Sequence, residues 1–442
     1  MPTHLDEHLL FFRRLAVLAG ILLLALSLGA WSWLDTVENK RQAPPAGMLR
    51  IAVPDPEKTP NVLSPYGPGL ERELIAAFCD QYGLRPSWHI VTSREEAFAL
   101  LRENVVDLAA GFGDDEAGSA AGEKGIQAGK SYALFRPVRL EGAKLATPNE
   151  AGDDDAAPLT DYPVFSPAMD LESADESLLL DPAAFSLWLP LLGDMKSETV
   201  RGTLLPHCWF WRENCHLGPD FTAFWEGEGR EEQLAELTER YYGFLPRRLL
   251  PGDILDLWDA VHNRLPAFRD MIVAAAEETG VPPLLLTAVI YRESRFRPDA
   301  VSATNVRGIM QLTTVTANML GVDRNDPAQC ILGGARYLRS IWDDLEDRRL
   351  GEWDRWFMTL AAYNQGPGSL NGAMRVSREL GDSGTSWKEL KKAYPRLKNS
   401  RGQEAVAFVD NVRYYYFILH GLIVLSPAET QHLAPLLTVS TR

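Results

Sequence analysis

Residues 283–313 read PLLLTAVIYRESRFRPDAVSATNVRGIMQLT, and the rest of the chain is organised around them. Leu285, Leu286, Val289, Ile290 and Phe296 recur at three- and four-residue spacings, the apolar stripe of a buried helix. Glu293 falls four residues after Val289, three after Ile290 and three before Phe296, so its carboxyl projects from that stripe. A carboxyl placed there loses water and its ionised form is disfavoured, so its pKa rises toward that of a proton donor near neutrality. The competing reading is a helix-terminal Glu reaching solvent beside Arg292 and Arg295. Arg297-Pro298-Asp299 is expected to stop the helix, because a residue before proline is pushed out of the α region. A polar loop then leads to Gly308-Ile309-Met310-Gln311, where glycine allows close backbone approach and the Gln311 amide can hydrogen-bond a ligand.

The chain has 442 residues, enough for two or three domains with cores of their own. A formal charge of −16 leaves no basic face to displace counterions, which argues against nucleic acid as a partner. The same charge disfavours electrostatic adhesion to anionic lipid, so a membrane tie would be hydrophobic. Residues 15–34, LAVLAGILLLALSLGAWSWL, carry no charge and at helical rise span about 30 Å, a bilayer's hydrocarbon core. They read as an uncleaved transmembrane helix following a short cytoplasmic stretch, 1–14. Arg13-Arg14 before the span and Asp35 and Glu38 after it orient the body outward, and Trp31 and Trp33 suit an interfacial anchor. A cleaved signal peptide is the alternative; no cysteine follows the run to serve as a lipid attachment point.

Residues 35–48, with Pro44-Pro45, form a linker. Strands are expected at 49–53, 85–91 and 105–110, alternating with amphipathic helices at 69–83 and 94–103, which argues a parallel α/β lobe. Residues 151–180 are rich in Asp, Ala, Pro and Ser and read in part as an acidic surface loop. Cys208 and Cys215 bracket CWFWRENC, and outside the cytoplasm a short-range disulfide between them is a candidate. His207 and His216 flank the pair, but no second Cys-x-x-Cys or His-x-x-x-His supports zinc, so no metal is expected. Cys79 and Cys330 sit on apolar helical faces and read as inert core. A charged helix at 228–242 closes this part, and Gly243-Phe244-Leu245-Pro246 marks a boundary. One long helix at 253–280 comes next, then the Glu293 helix and further helices at 327–347, 353–363, 386–394 and 403–425. No Gly-x-x-x-x-Gly-Lys-Ser/Thr or His-Glu-x-x-His occurs, so no cofactor is expected.

Glu293-Ser294, Ser302 nine residues after the Glu, Gly308-Ile-Met-Gln311, Ala361-Ala-Tyr363-Asn364-Gln-Gly366 and Glu404-Ala-Val-Ala-Phe-Val-Asp-Asn411-Val-Arg-Tyr-Tyr415 follow one another in this order. Together they resemble the soluble lytic transglycosylase domain, glycoside hydrolase family 23, with a goose-lysozyme-like fold. LRIAV, GLERELIAAF and REEAFALLRENVVDLAAG resemble the first lobe of family 3 periplasmic solute-binding proteins. Behind a hydrophobic segment, this combination resembles the membrane-bound lytic transglycosylases. The expected architecture is therefore multidomain: an N-terminal transmembrane helix, a solute-binding-protein-like α/β domain (49–245), and an all-α lysozyme-like domain (253–442).

The resemblance implies a periplasmic location in a bacterial envelope, anchored at the inner membrane. If the leader is cleaved, the protein is periplasmic or outer-membrane associated. It implies cleavage of the β-1,4 bond between N-acetylmuramic acid and N-acetylglucosamine in peptidoglycan strands, with 1,6-anhydro ends and a role in cell-wall remodelling or turnover. Glu293 would be the catalytic acid, Ser302 would touch the N-acetyl group and Gln311 the sugar chain. Tyr363 would lie near Glu293, Asn364 would steady its loop, Glu404 would support the groove, and Tyr415 fits the final motif, with Tyr414 and Tyr416 adjoining it. Thr313 stands where many relatives carry methionine. A muropeptide or small ligand at the first domain is also implied, with Arg136 and Arg139 the nearest candidates for a ligand-grasping arginine. Two alternatives differ in class. A hydrolytic muramidase would need a second carboxylate, for which Asp299 is the close candidate, and a non-catalytic envelope sensor would leave Glu293, Gln311 and Tyr363 without use.

Overall fold

A computed structural model describes residues 47–54, 64–113, 125–135, 138–141, 178–180, 182–191, 196–199, 205–246, 251–348, 350–397, 401–425 and 430–437. The apolar run at 15–34, Arg136 and the acidic stretch at 151–177 lie outside them. Among the described residues no helix is long and apolar enough to cross a membrane.

Strand β1 (Met48–Pro54) runs parallel to β2 (Arg85–Val91) on one side and β3 (Leu108–Gly113) on the other. Their crossovers are α1 (Leu70–Tyr82) and α2 (Arg94–Arg102). Helix α1 ends on Gly83 in the left-handed region, and α2 starts on Ser93, whose side chain accepts from the Glu96 N–H while the Glu96 carboxylate reaches back to Thr92. The sheet then turns antiparallel. Strand β4 (Ile126–Ala128) and β5 (Ala133–Phe135) both pair with β9 (Leu205–Arg212), which itself pairs with β3. A smaller antiparallel sheet places β6 (Val138–Glu141) between β7 (Leu178–Leu180) and β8 (Lys196–Thr199). Helix α3 (Pro182–Trp188) lies in sequence between β7 and β8, and α4 (Gly218–Glu226) and α5 (Arg230–Tyr242) follow β9.

Alternation along β9 divides its side chains between two cores. Trp209 and Trp211 enter the main core with Phe78, Phe221 and Phe224, while Cys208 and Phe210 pack on the other face with Ala52 and Phe98. Cys215 belongs to the first of these cores. No disulfide joins Cys208 to Cys215: the two buried thiols pack in different cores, Cys208 from β9 and Cys215 from the turn after it.

The helical half comprises α6 (Pro251–Asn263), α7 (Arg269–Thr279), α8 (Pro283–Ser294), α9 (Thr314–Leu320), α10 (Pro327–Asp343), α11 (Glu352–Gln365), α12 (Pro367–Glu379), α13 (Trp387–Ala393) and α14 (Gly402–Leu425). The single helix expected over 253–280 is two, because Pro266 has no N–H to give and disfavours the α region at Leu265. Helix α8 stops at Ser294, earlier than the Arg297-Pro298 signal. Arg295 and Phe296 both take left-handed backbone, at φ 53° and 58°, and the turn they make drives the Phe296 ring into the core. Every residue from Pro283 to Tyr291 is buried, so α8 is enclosed, chiefly by α14 and α7.

The boundary segment is packed rather than slack. Arg413 of α14 is fully buried; its guanidinium holds Glu239 of α5 at 2.9 Å and donates to the Glu239 and Arg240 carbonyls. It lies over the Phe357 and Phe244 rings at 4.2 and 5.0 Å. Tyr66, from the segment leading into α1, packs edge-on to Phe244, Trp353, Phe357 and Tyr416, and its hydroxyl donates to the Arg413 carbonyl at 2.6 Å. The α/β half thus ends in a pin set into the helical half.

Candidate active site

Glu293 lies in the last turn of α8 and is half-buried. Burial pushes it up to about 8, against which the Arg292 charge acts to lower it. Among the described residues the carboxyl has no hydrogen-bond partner, so its proton is uncommitted. Tyr363 of α11 sits near enough for the Glu293 charge to help raise its hydroxyl well above the ordinary tyrosine range, after burial.

The loop from α8 to α9 is held from three directions. The Tyr363 hydroxyl donates to the Met310 carbonyl at 2.8 Å. The Cys330 thiol of α10 takes backbone hydrogen bonds from Ile309 and Met310, and Arg324 donates to the Asn305 and Leu312 carbonyls. Gly308 has φ 86°, and a Cβ there would lie 1.9 Å from the Arg324 carbonyl and 3.0 Å from the Cys330 sulfur, so only glycine fits. Gly334 of α10 makes similar room, since a Cβ would meet the Met310 side chain at 2.4 Å. Cys330 was expected to be inert packing; the sequence carries no sign of its backbone bonds. Replacing Tyr363 by Phe leaves the Met310 carbonyl unmet and is expected to cost about 1–3 kcal/mol. The urea midpoint reads that loss; an unchanged midpoint would mean that Cys330 and Arg324 hold the loop alone.

Other motif residues spend part of their hydrogen bonding on the loop itself. Gln311, in left-handed backbone at φ 50°, donates its amide to the Ala300 and Gly308 carbonyls at 3.0 and 2.9 Å, leaving the amide oxygen for a ligand. Ser302 accepts from the Thr304 and Val306 N–H groups at 3.3 and 3.1 Å. Thr313 caps α9. Asn364 accepts from Gln365, whose amide also reaches Glu404 at 3.4 Å, and Glu404 pairs with Arg401 at 3.0 Å.

On α14, Glu404, Phe408, Asn411 and Tyr415 recur at four, three and four residues and so share a face. The Phe408 ring stacks on Tyr363, centroids 6.4 Å apart. Tyr415 meets Tyr291 edge-on at 4.7 Å, roughly 200° around α8 from Glu293. Its neighbours differ: Tyr414 bonds Ser186 of α3 and Tyr416 joins the Tyr66 cluster, so Tyr415 is the tyrosine of this run that faces α8.

In the α/β half, Arg139 stands in β6 opposite Leu179 and Glu198. Glu71 is the unexpected residue there. It is buried at the end of β3 beside Gly111, takes hydrogen bonds from the Tyr132 hydroxyl and the Trp209 indole, and burial pushes it up to about 7. Its place on an amphipathic helix gave no hint of this.

Residues 270–384 match the family model described as Transglycosylase SLT domain, a span that holds Glu293, the Gly308 loop and Tyr363 but ends before Glu404 and Tyr415. Curated relatives named membrane-bound lytic murein transglycosylase F include one from Marinobacter nauticus, 38% identical over 209 residues, which are 45% of this chain and 41% of the relative. Another, from Thiobacillus denitrificans, is 41% identical over 193 residues, 41% of each chain. The chain spans about two fifths of the length of these curated relatives. Among solved structures, the glutamate-bound GluR0 ligand-binding core is 16% identical with a TM-score of 0.31, covering 45% of this chain and 99% of that one.

Proposed function

We propose that this chain is a peptidoglycan lytic transglycosylase, cleaving between N-acetylmuramic acid and N-acetylglucosamine and leaving 1,6-anhydro-muramic ends. The Glu293 carboxyl carries this reading: lifted to about 8, it keeps its proton at neutral pH. In the first step that proton passes to the glycosidic oxygen as the bond to C1 breaks, and the sugar's N-acetyl group supports the charge at C1. Next, the new carboxylate takes the proton of the muramic C6 hydroxyl, whose oxygen closes onto C1. Glu293 ends as it began and no water is consumed. Holding that hydroxyl at C1 is a matter of orientation, worth roughly 7–11 kcal/mol at best.

Inverting hydrolysis would instead need a second carboxylate placed to activate water. Asp299, the close acid in sequence, is exposed on the loop. In this reading Ser302 and Gln311 meet the N-acetyl group and the sugar chain, Tyr363 orders the loop against Glu293, and Asn364, Glu404 and Tyr415 support the groove. Residues 253–442 carry the activity and 49–245 any small-ligand site, muropeptides being the class implied. The relatives' name supports a tie to the membrane, for which residues 15–34 are the candidate. Mass spectrometry of digested sacculi tests the chemistry. Anhydro-muramic ends are expected; reducing muramic ends would replace this reading with hydrolysis.

A further inference from the structure

Arginines of the described residues whose Nε is buried without a partner are Arg264, Arg292 and Arg413. Two of them are satisfied through their outer nitrogens, Arg264 by Asp259 at 3.4 Å and Arg413 by Glu239 at 2.9 Å. Arg292 has no hydrogen bond or ion pair among the described residues. The neighbouring Arg295 takes Asp256 at 3.2 Å. A half-buried guanidinium has lost part of its hydration, and leaving it without a counter-charge is costly.

Its position is specific. Arg292 immediately precedes Glu293 on α8, and its guanidinium lies over the Phe408 ring at 5.5 Å, on the α14 face that also carries Tyr415. Its charge is felt at both Glu293 and Tyr415. Phe408 in turn stacks on Tyr363. The unpaired cation therefore stands next to the proton donor on α8, over the ring that stacks on Tyr363.

We infer that Arg292 is a specificity-determining residue that receives a carboxylate of the glycan beside Glu293. The inference rests on the reading of the site as one for peptidoglycan, and deepens it. A guanidinium offers two parallel N–H groups that match a carboxylate's two oxygens, which a lysine in its place could not do. In such a substrate the carboxylate has two sources: the lactyl group of muramic acid where peptide is absent, or the stem peptide where it is present.

The test uses the full chain and Arg292→Gln, on peptide-free glycan strands, on peptide-bearing strands, and on each after methyl esterification of its carboxylates. KM is expected to rise on the order of 10- to 100-fold on carboxylate-bearing strands, with kcat changed little, the loss of a charge-assisted pair. Esterified strands should show no difference between the variant and the wild type. A rise confined to peptide-free strands assigns the lactyl carboxylate, and one confined to peptide-bearing strands assigns the peptide. Arg292→Lys should recover only part of the loss. An equal effect on esterified and free strands, or a fall in kcat alone, overturns the inference. Wild-type formation of anhydro ends in the same digests tests the underlying reading separately. Strand binding by Glu293→Gln, with and without Arg292→Gln, reports carboxylate recognition without turnover: a lower affinity in the double variant supports it, and equal affinities overturn it.

Discussion

Glu293→Gln is expected to reduce sacculus lysis by about 10²- to 10⁴-fold, the range that positioned acid–base groups supply. Gln matches the carboxyl in shape but can neither give a proton to the glycosidic oxygen nor take one from the C6 hydroxyl. The assay is release of soluble fragments from purified sacculi, and lysis within tenfold of wild type would remove Glu293 from the reaction. The wild-type pH profile adds a signed expectation. In the proposed reaction the working form is the protonated acid, so activity should fall as pH rises through about 8. Stability follows from the same shift. Glu293 binds its proton more tightly folded than unfolded, so the stability present below its unfolded value near 4.5 is lost as pH rises toward about 8. Removing the charge should thus leave the variant at least as stable as wild type at pH 7 and flatten its stability over that window. A clear loss of stability at neutral pH would mean that the carboxyl is held by favourable contacts rather than kept dry at a cost.

The legible parts of this fold are those governed by local period. The parallel strands and their two helices lie within a few residues of their expected places, and β2 coincides with its range. Helix α8 was readable because its apolar residues recur at helical spacing, and the carboxyl among them followed from the same count. Illegible features depend on contacts between distant residues or on backbone that no pattern encodes. The paired left-handed residues Arg295 and Phe296 end α8 before the Arg297-Pro298 signal is reached. Cys330 and Arg324 hold the Gly308 loop through backbone groups, which leave no trace in side-chain identity. Short spacing does not bring Cys208 and Cys215 together, because the turn after β9 carries Cys215 into the other core. For Tyr415, the order of motifs identified a run of three tyrosines; only the packing of α14 on α8 and on the first half of the chain distributes them.

Arg413→Ala is expected to cost about 3–5 kcal/mol, the range for removing one partner of a buried charge pair. The size of the effect comes from what stays behind. Glu239 and Asp410 keep Lys391, at 3.2 and 2.8 Å, but lose the guanidinium, and the Glu239 and Arg240 carbonyls lose their donor. Phe357, Phe244 and Tyr66 would then face a cavity in place of a flat cation. Because Tyr66, Phe244 and Glu239 come from one half of the chain and Arg413 and Phe357 from the other, the loss falls on their junction. Calorimetry of the full chain should therefore show a lower midpoint and a transition split between the halves. Burial already raises the Asp410 carboxyl even with Arg413 and Lys391 opposing it. Without Arg413 its folded value rises further, so the deficit should grow as pH rises and shrink toward acid, where the carboxyl takes a proton. Arg413→Met, which refills the space without a charge, should recover part of the cavity loss but none of the ion pairing. A midpoint within about 1 kcal/mol of wild type for Arg413→Ala would mean that water or Lys391 replaces the guanidinium, and that the two halves do not depend on this residue for their contact.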